Sequence, residues 1–196
     1  MKKLNEFKGV IIVLVLATAL IIYYRHMSNV SKGKEAEDVV SSTSVVSETL
    51  QRNLNTDYPQ TPKEVIKYFS DITKCFYNEE YTEDELVALA DQMLLLYDPE
   101  LAGFKSYQDY LFDLKADIDY YKTNNYVISS YSPSASTDVE FFSEDGYDWA
   151  RIWCVYTIKS GRFYKPIQEV FILRKDDRSH WRIYGWRLVS DTEEDG

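Results

Sequence analysis

The stretch FILRKDDRSHWRIYGWRLV, residues 171–189, predicts two β-strands joined by a short charged turn. Its two ends are rich in the β-branched and aromatic residues that strands prefer, and the middle is polar. Connections this short join antiparallel neighbours, so the chain should end in a β-hairpin. His180 stands near Asp176 and Asp177, but a solvated turn offers no dry site in which an imidazole would act as a general base. We therefore assign no catalytic role to His180.

Period-2 alternation continues upstream of the hairpin, and turn-forming residues separate the segments. The predicted strands are Tyr126–Tyr131, Asp138–Phe142, Trp149–Ser160, Arg162–Arg174 and Trp181–Val189. The last strand is apolar on both faces, with Trp181, Ile183 and Val189 on one side and Tyr184, Trp186 and Leu188 on the other. A sheet of this kind should be covered on both faces.

Residues 61–124 have the 3.6-residue period of amphipathic helices instead. Thr61 followed by Pro62 marks the start of a first helix ending near Asn78. A capping box, Thr82 to Glu85, starts a second helix that stops by Asp98-Pro99. The third predicted helix is Ser106–Asn124.

Three helices followed by a bent antiparallel sheet that closes with FILRK-turn-WRIYGW resemble the NTF2-like superfamily over Thr61–Val189. The resemblance implies an α+β cone, with three amino-terminal helices packed on an antiparallel sheet of four to six strands, as a domain spanning residues 61–190. Some NTF2-like enzymes keep Asp, His or Tyr groups inside the cone. The resemblance itself implies a fold and names no reaction.

Residues 9–24, GVIIVLVLATALIIYY, are apolar apart from Thr18 and predict a membrane-spanning helix over residues 9–25. Lysines precede this run, so residues 1–8 should be a cytoplasmic tail and the bulk of the chain should lie outside the cytoplasm. Ala17-Thr18-Ala19 has the form of a signal-peptidase site, which leaves a cleaved signal as an alternative. Cleavage there would leave an apolar stub, so an uncleaved anchor is favoured.

Two polar segments flank the predicted domain. Residues 26–60 are rich in Ser, Thr, Val, Glu and Asn and are predicted to be a flexible linker. Residues 191–196 form an acidic tail. One anchor, a linker and an exported cone resemble the inner-membrane components of type IV secretion and conjugation machines and small membrane-anchored bacterial proteins. That resemblance implies a single-pass protein of the cell membrane with a scaffolding role.

Charge and motifs exclude several functions. The chain has a net charge of −10, and residues 56–196 carry 15 Lys and Arg against 27 Asp and Glu, a net charge of −12. Such a domain should repel nucleic acid. The acidic residues around SEDGYD, residues 143–148, lack the register of a calcium loop, and no nucleotide-binding, zinc-protease or nucleophile-elbow motif occurs. We therefore predict no catalytic residues, no metal ion and no cofactor.

The two cysteines, Cys75 and Cys154, lie far apart in sequence and have no metal-binding spacing. In an oxidising compartment they could form one disulfide. Isolated cysteines in apolar segments are more often buried thiols, which is the favoured interpretation.

Seventeen tyrosines in 196 residues raise the question of an aromatic surface or pocket. Most of them suit half-buried strand positions. The residues chosen as ligand-binding or interface candidates are Tyr110, Tyr121, Trp153, Tyr156 and Trp186.

Two functional hypotheses follow. The favoured one is a binding or scaffolding module that dimerises or docks a protein partner through the open face of its sheet. The alternative is a small-molecule binder or enzyme whose cone holds an apolar ligand in an aromatic pocket.

Overall fold

The computed structural model describes residues 44–189, and within them the chain folds into five α-helices and one five-stranded antiparallel sheet. The helices are α1 (Val45–Leu50), α2 (Pro62–Asn78), α3 (Glu83–Leu96), α4 (Pro99–Ala102) and α5 (Tyr107–Thr123). The strands are β1 (Tyr126–Pro133), β2 (Glu140–Glu144), β3 (Tyr147–Ser160), β4 (Phe163–Lys175) and β5 (Trp181–Leu188), with a 3-10 turn at Ser136–Asp138. The α+β class and the antiparallel sheet of four to six strands are thereby confirmed.

The helices start where the sequence predicts. Thr61 and Thr82 each accept a hydrogen bond from the backbone N–H three residues on, and Glu64 and Glu85 accept from the capping residues in return. Both motifs satisfy amide groups that have no partner within the helix. Ser106 caps α5 in the simpler way, through its own side chain.

The sheet has the strand order β1-β3-β4-β5, and β2 also pairs with β3. Strand β3 is long enough to pair β2 along its first half and β1 along its second half, so the two short strands share one of its edges. The other edge of β3 pairs with β4 over twelve residues, and β4 pairs with β5. Hairpins therefore join β2 to β3, β3 to β4 and β4 to β5.

The core lies between α2 and one face of the sheet, which we call the helix face. Phe69 of α2 makes edge contacts with Phe171 and Trp186, at ring-centroid distances of 5.3 and 5.4 Å. Ile152 pairs with Phe171 on the same face, and both are fully buried. The opposite face of the sheet is called the open face.

The predicted linker over residues 26–60 is wrong for its last part. Ser44 caps α1, and Val46, Leu54 and Tyr58 are buried in the core. Tyr58 also donates a hydrogen bond to the carbonyl of Trp181 on β5. These few apolar side chains are sufficient to hold a mostly polar segment because each fills a site in the core.

The predicted alternation along the last strand is also wrong. A bulge between Ile172 and Leu173 of β4 leaves Tyr184 as an extra residue on β5, so Leu173 pairs with Ile183 and Phe171 with Trp186. A bulge reverses the side-chain alternation beyond it. Trp186 therefore lies on the helix face together with Ile183, instead of on the opposite side.

Several predictions lie outside the described residues: the cytoplasmic tail 1–8, the transmembrane helix 9–25, the first part of the linker and the acidic tail 191–196. Within residues 44–189, no helix has both the length and the apolar character needed to cross a membrane.

Candidate functional site

One carboxylate on the helix face interacts electrostatically with several tyrosines. Glu169 of β4 pairs with Cys154 of β3 and stands two positions before the core residue Phe171, so its side chain points to the same face. It is half-buried, and burial raises its pKa to about 7. No hydrogen bond or salt bridge joins the Glu169 carboxylate to another side chain of the described segment. A carboxylate that is desolvated without a partner prefers its protonated form.

The charge of Glu169 affects the pKa values of several tyrosines and of one cysteine. After burial, its charge helps to raise the pKa of Tyr97, of Tyr121 to about 12, and of Tyr156, as well as that of the Cys154 thiol to about 11. The groups that this carboxyl group influences are therefore phenols and a thiol, all with raised pKa values. The group can donate or accept a proton, but no nucleophile or oriented base stands beside it.

Four of the five candidate residues lie on the helix side of the sheet: Tyr156 and Trp186 on the sheet itself, and Tyr110 and Tyr121 on α5. Trp186, Tyr97 and Tyr110 form a chain of ring contacts, at centroid distances of 5.7 and 6.5 Å. Tyr121 stacks on Tyr77 of α2 at 3.9 Å. Tyr156 shares a hydrogen bond of 2.7 Å with the buried hydroxyl of Ser70. These four side chains fill the space between helices and sheet rather than line one shared pocket.

The fifth candidate, Trp153, lies on the open face. Val155 follows two residues later, and Ile172 stands on the neighbouring strand, so the three side chains form an apolar strip. None of them belongs to the hydrophobic core of the described residues or packs against it. Val170, which pairs with Trp153, is buried within the same face but separate from that core. The open face is therefore apolar at its centre.

One end of the open face is closed by a caged arginine. Two nitrogens of the Arg174 guanidinium bind both carboxylate oxygens of Asp98, at 2.8 and 2.5 Å, and the third binds Glu100 at 2.9 Å. Asp98 caps α4, and its carboxylate is almost fully buried. Three aromatic rings surround the same guanidinium within 6 Å: those of Tyr147, Trp149 and Tyr184. This cluster holds α4 against the sheet, and its charges are already paired.

The terminal turn is structural. The carboxylate of Asp176 accepts from the backbone N–H groups of Arg178 and His180 and from Nε of Arg182. Burial alone would raise the pKa of Asp176, but these hydrogen bonds hold it below its ordinary value. The His180 ring stacks on Tyr58 at 4.2 Å, so it is half-buried rather than part of a fully solvated tip.

A pocket of about 330 Å³ lies where the tips of the β2–β3 and β4–β5 hairpins meet. A row of side chains crosses four strands here: Ser143 pairs with Asp148, and Lys175 pairs with Trp181. Asp148 and Lys175 are cross-strand neighbours, because they stand one step beyond the pair Trp149 and Arg174. The rings of Phe141 and Trp181 stand on the same face as this row, and Phe142 and Trp149 also border the pocket.

The polar groups of this pocket are only partly used. The Ser143 hydroxyl donates to Asp148 at 3.1 Å, and the Lys175 ammonium lies 5.5 Å from the centre of the Trp181 ring. Neither Asp148 nor Lys175 forms a salt bridge with any residue between 44 and 189. A carboxylate and an ammonium group thus stand side by side at an aromatic pocket without neutralising each other.

The sequence analysis missed Glu169 and the pocket residues. Strand alternation from Phe171 and Leu173 would have placed Glu169 on the helix face, so period 2 carried that signal. The pocket depends on two hairpins meeting, which the pattern of a single strand does not show. In the part of the chain that the structure describes, no three His, Cys, Asp or Glu side chains are placed to hold a metal ion.

Both cysteines are buried and free. The Cys75 thiol donates to the Thr49 hydroxyl of α1 at 3.4 Å, and burial raises its pKa. Cys154 lies on β3 beside Tyr156. Thiols in such surroundings are poor nucleophiles.

A comparison with known families matches residues 1–186 to a domain of unknown function, DUF6715. No curated protein matches the chain.

Proposed function

The chain belongs to the DUF6715 family, and we propose that it is a single-pass membrane protein whose NTF2-like domain binds a protein outside the cytoplasm through the open face of its sheet. The observation that carries this proposal is the apolar strip of Trp153, Val155 and Ile172, which lies outside the hydrophobic core of the described residues. Apolar strips in the middle of a sheet are favourable contact surfaces because their burial gains roughly 25 cal/mol per Å².

The NTF2-like part of the proposal is supported by the order of the elements. The major helices all precede the sheet, and the long strand β3 joins three neighbours into one antiparallel layer. The membrane part is supported by the apolar run at residues 9–24. The family match begins at residue 1, so it includes that run together with the folded domain.

The partner that we propose is a second copy of the chain. Two open faces brought together by a twofold axis would bury both apolar strips, and such isologous dimers are the commonest oligomers. Glu140 and Arg151, which form a salt bridge of 2.7 Å at the margin of the strip, bring charges of both signs to a rim that could complement its own copy.

Light scattering on the full-length chain in detergent tests the proposal. We expect a protein mass of two chains, and of one chain for Trp153→Lys, because a charged group at the centre of the strip would be buried unpaired. Tyr107→Lys is the control, since Tyr107 is an exposed aromatic residue on α5, outside the sheet. A single-chain mass for the unmodified protein would contradict self-association, and unchanged dimers of Trp153→Lys would contradict the assignment to this face.

A second candidate function is small-molecule binding, and the pocket between the two hairpin tips favours it. Its volume is at the lower end of the range of about 300–1,000 Å³ that is usual for ligand pockets. The aromatic cone interior that the sequence suggested is a weaker site, because Tyr156 and Trp186 pack into the core there. Calorimetric titration of the full-length chain with small aromatic compounds tests this candidate, and an absence of heat would contradict it.

A further inference from the structure

We propose that the pocket between the hairpin tips binds a free α-amino acid with an aromatic side chain. This inference rests on the second candidate function, small-molecule binding at that pocket, and names the ligand. It follows from three features of the site: its charges, its walls and its size.

The charges define the polar part of the ligand. Asp148 and Lys175 are neighbours across two strands, with Cβ atoms expected roughly 5 Å apart. An α-amino acid carries an ammonium and a carboxylate group on one carbon, so it can pair with both side chains at once. One oxygen of Asp148 already accepts from Ser143, which fixes the carboxylate and leaves its other lone pairs for the ligand.

The walls define the apolar part. The rings of Phe141 and Trp181, which lie on the same face of the sheet as Asp148 and Lys175, are at a centroid distance of 5.6 Å with an interplanar angle of 51°. Phe141 is 61% exposed, which is unusual for so large an apolar side chain. A ligand ring placed over these side chains would cover them and gain the contacts that aromatic pairs prefer.

The size limits the ligand to a single small molecule. A volume of about 330 Å³ accommodates an amino acid but leaves little room for a longer chain. The pocket is open to solvent, so the charges at its rim are screened and each should contribute only modestly to affinity. We therefore expect weak binding, with a dissociation constant on the order of 1 mM.

Calorimetric titration of the full-length protein with three probes tests the inference. The probes are L-phenylalanine, 2-phenylethylamine, which lacks the carboxylate, and 3-phenylpropionate, which lacks the amine. We expect L-phenylalanine to bind most tightly. Removing either charged group from the ligand should weaken binding about three- to fivefold.

Two single variants assign the charges. Asp148→Asn should weaken the binding of L-phenylalanine and 2-phenylethylamine about three- to fivefold and leave that of 3-phenylpropionate unchanged. Lys175→Gln should weaken the binding of L-phenylalanine and 3-phenylpropionate by a similar factor and leave that of 2-phenylethylamine unchanged. Both side chains lie at the rim, so neither variant should disturb the fold. Glu144→Gln, in the same β2–β3 hairpin but not in the pocket lining, is the control and should bind like the unmodified protein.

The outcomes separate the two levels of the proposal. Equal affinities for the three probes, unaffected by the variants, would overturn the amino-acid assignment and leave apolar small-molecule binding intact. No heat with any probe up to about 10 mM would overturn both.

Discussion

At the scale of single residues, Glu169 is the most consequential side chain. Its pKa is raised from 4.5 to about 7 by burial, so between these two values the unfolded chain has released a proton that the folded protein still holds. The free energy of unfolding must then fall as the pH rises through this window, and the loss is complete above it. We expect Glu169→Gln to be about 2 kcal/mol more stable than the unmodified protein at pH 8 and equally stable at pH 4.

Urea unfolding at several pH values measures this effect. Glu48→Gln is the control, because Glu48 is exposed on α1. If Glu169→Gln and the unmodified protein had parallel pH profiles, the carboxyl group of Glu169 would not be desolvated.

A second residue-scale prediction concerns the caged arginine. Asp98→Asn should lower the free energy of unfolding by about 3 kcal/mol, because it leaves the Arg174 guanidinium, which is 13% exposed, without its buried partner. Glu100→Gln removes a carboxylate that is 55% exposed and should cost less than about 1 kcal/mol. Chemical denaturation compares the two, and equal costs would show that burial does not distinguish these pairs.

At the scale of elements, α1 provides the sharpest contrast between the sequence and the structure. Val46 is 1% exposed and contacts the core, whereas Val45 beside it is 52% exposed. We expect Val46→Ala to lower the free energy of unfolding by about 2 kcal/mol and Val45→Ala to change it by less than about 0.5 kcal/mol. Thermal unfolding of both variants checks this, and equal midpoints would mean that residues 45–60 are a linker after all.

The elements that the sequence predicts well are those with local signals. The capping boxes at Thr61 and Thr82 determine helix starts through contacts three residues apart, and the turn at Asp176 determines a hairpin through contacts four residues apart. Leu54 and Tyr58 belong to the fold because of partners far along the chain, as in the hydrogen bond from Tyr58 to the carbonyl of Trp181. A polar segment has no hydrophobic period from which such long-range contacts could be predicted.

The bulge at Tyr184 has the same explanation. Strict alternation assigned Trp186 to the wrong face, because the extra residue is defined by the register against β4 and not by the sequence of β5 alone. The same limit affected the prediction of the candidate site most. Tyr110, Tyr121 and Tyr156 were candidates for a ligand or interface site, but the rings of Tyr110 and Tyr121 and the hydroxyl of Tyr156 contact separate partners, whereas the pocket itself arises where two hairpins meet.

At the scale of the whole molecule, the reactivity of the two cysteine thiols tests whether one core holds the domain together. Cys75 faces α1 and Cys154 lies in the middle of the sheet, and each is 0% exposed. A thiol reagent reaches such side chains only when the protein opens. We therefore expect both thiols to react at the rate of global unfolding in the native protein, and at once in guanidinium chloride.

The same experiment decides between free thiols and a disulfide. Two thiols should titrate in the denatured chain without a reductant, and dithiothreitol should leave the midpoint of thermal unfolding unchanged. A disulfide between Cys75 and Cys154 would close a long loop and stabilise the fold by about 2–5 kcal/mol, so its reduction would lower that midpoint by several degrees. A fast-reacting thiol in the native protein would instead show that α1 or the sheet opens locally, which would contradict the single cooperative core that joins Val46 to Ile183.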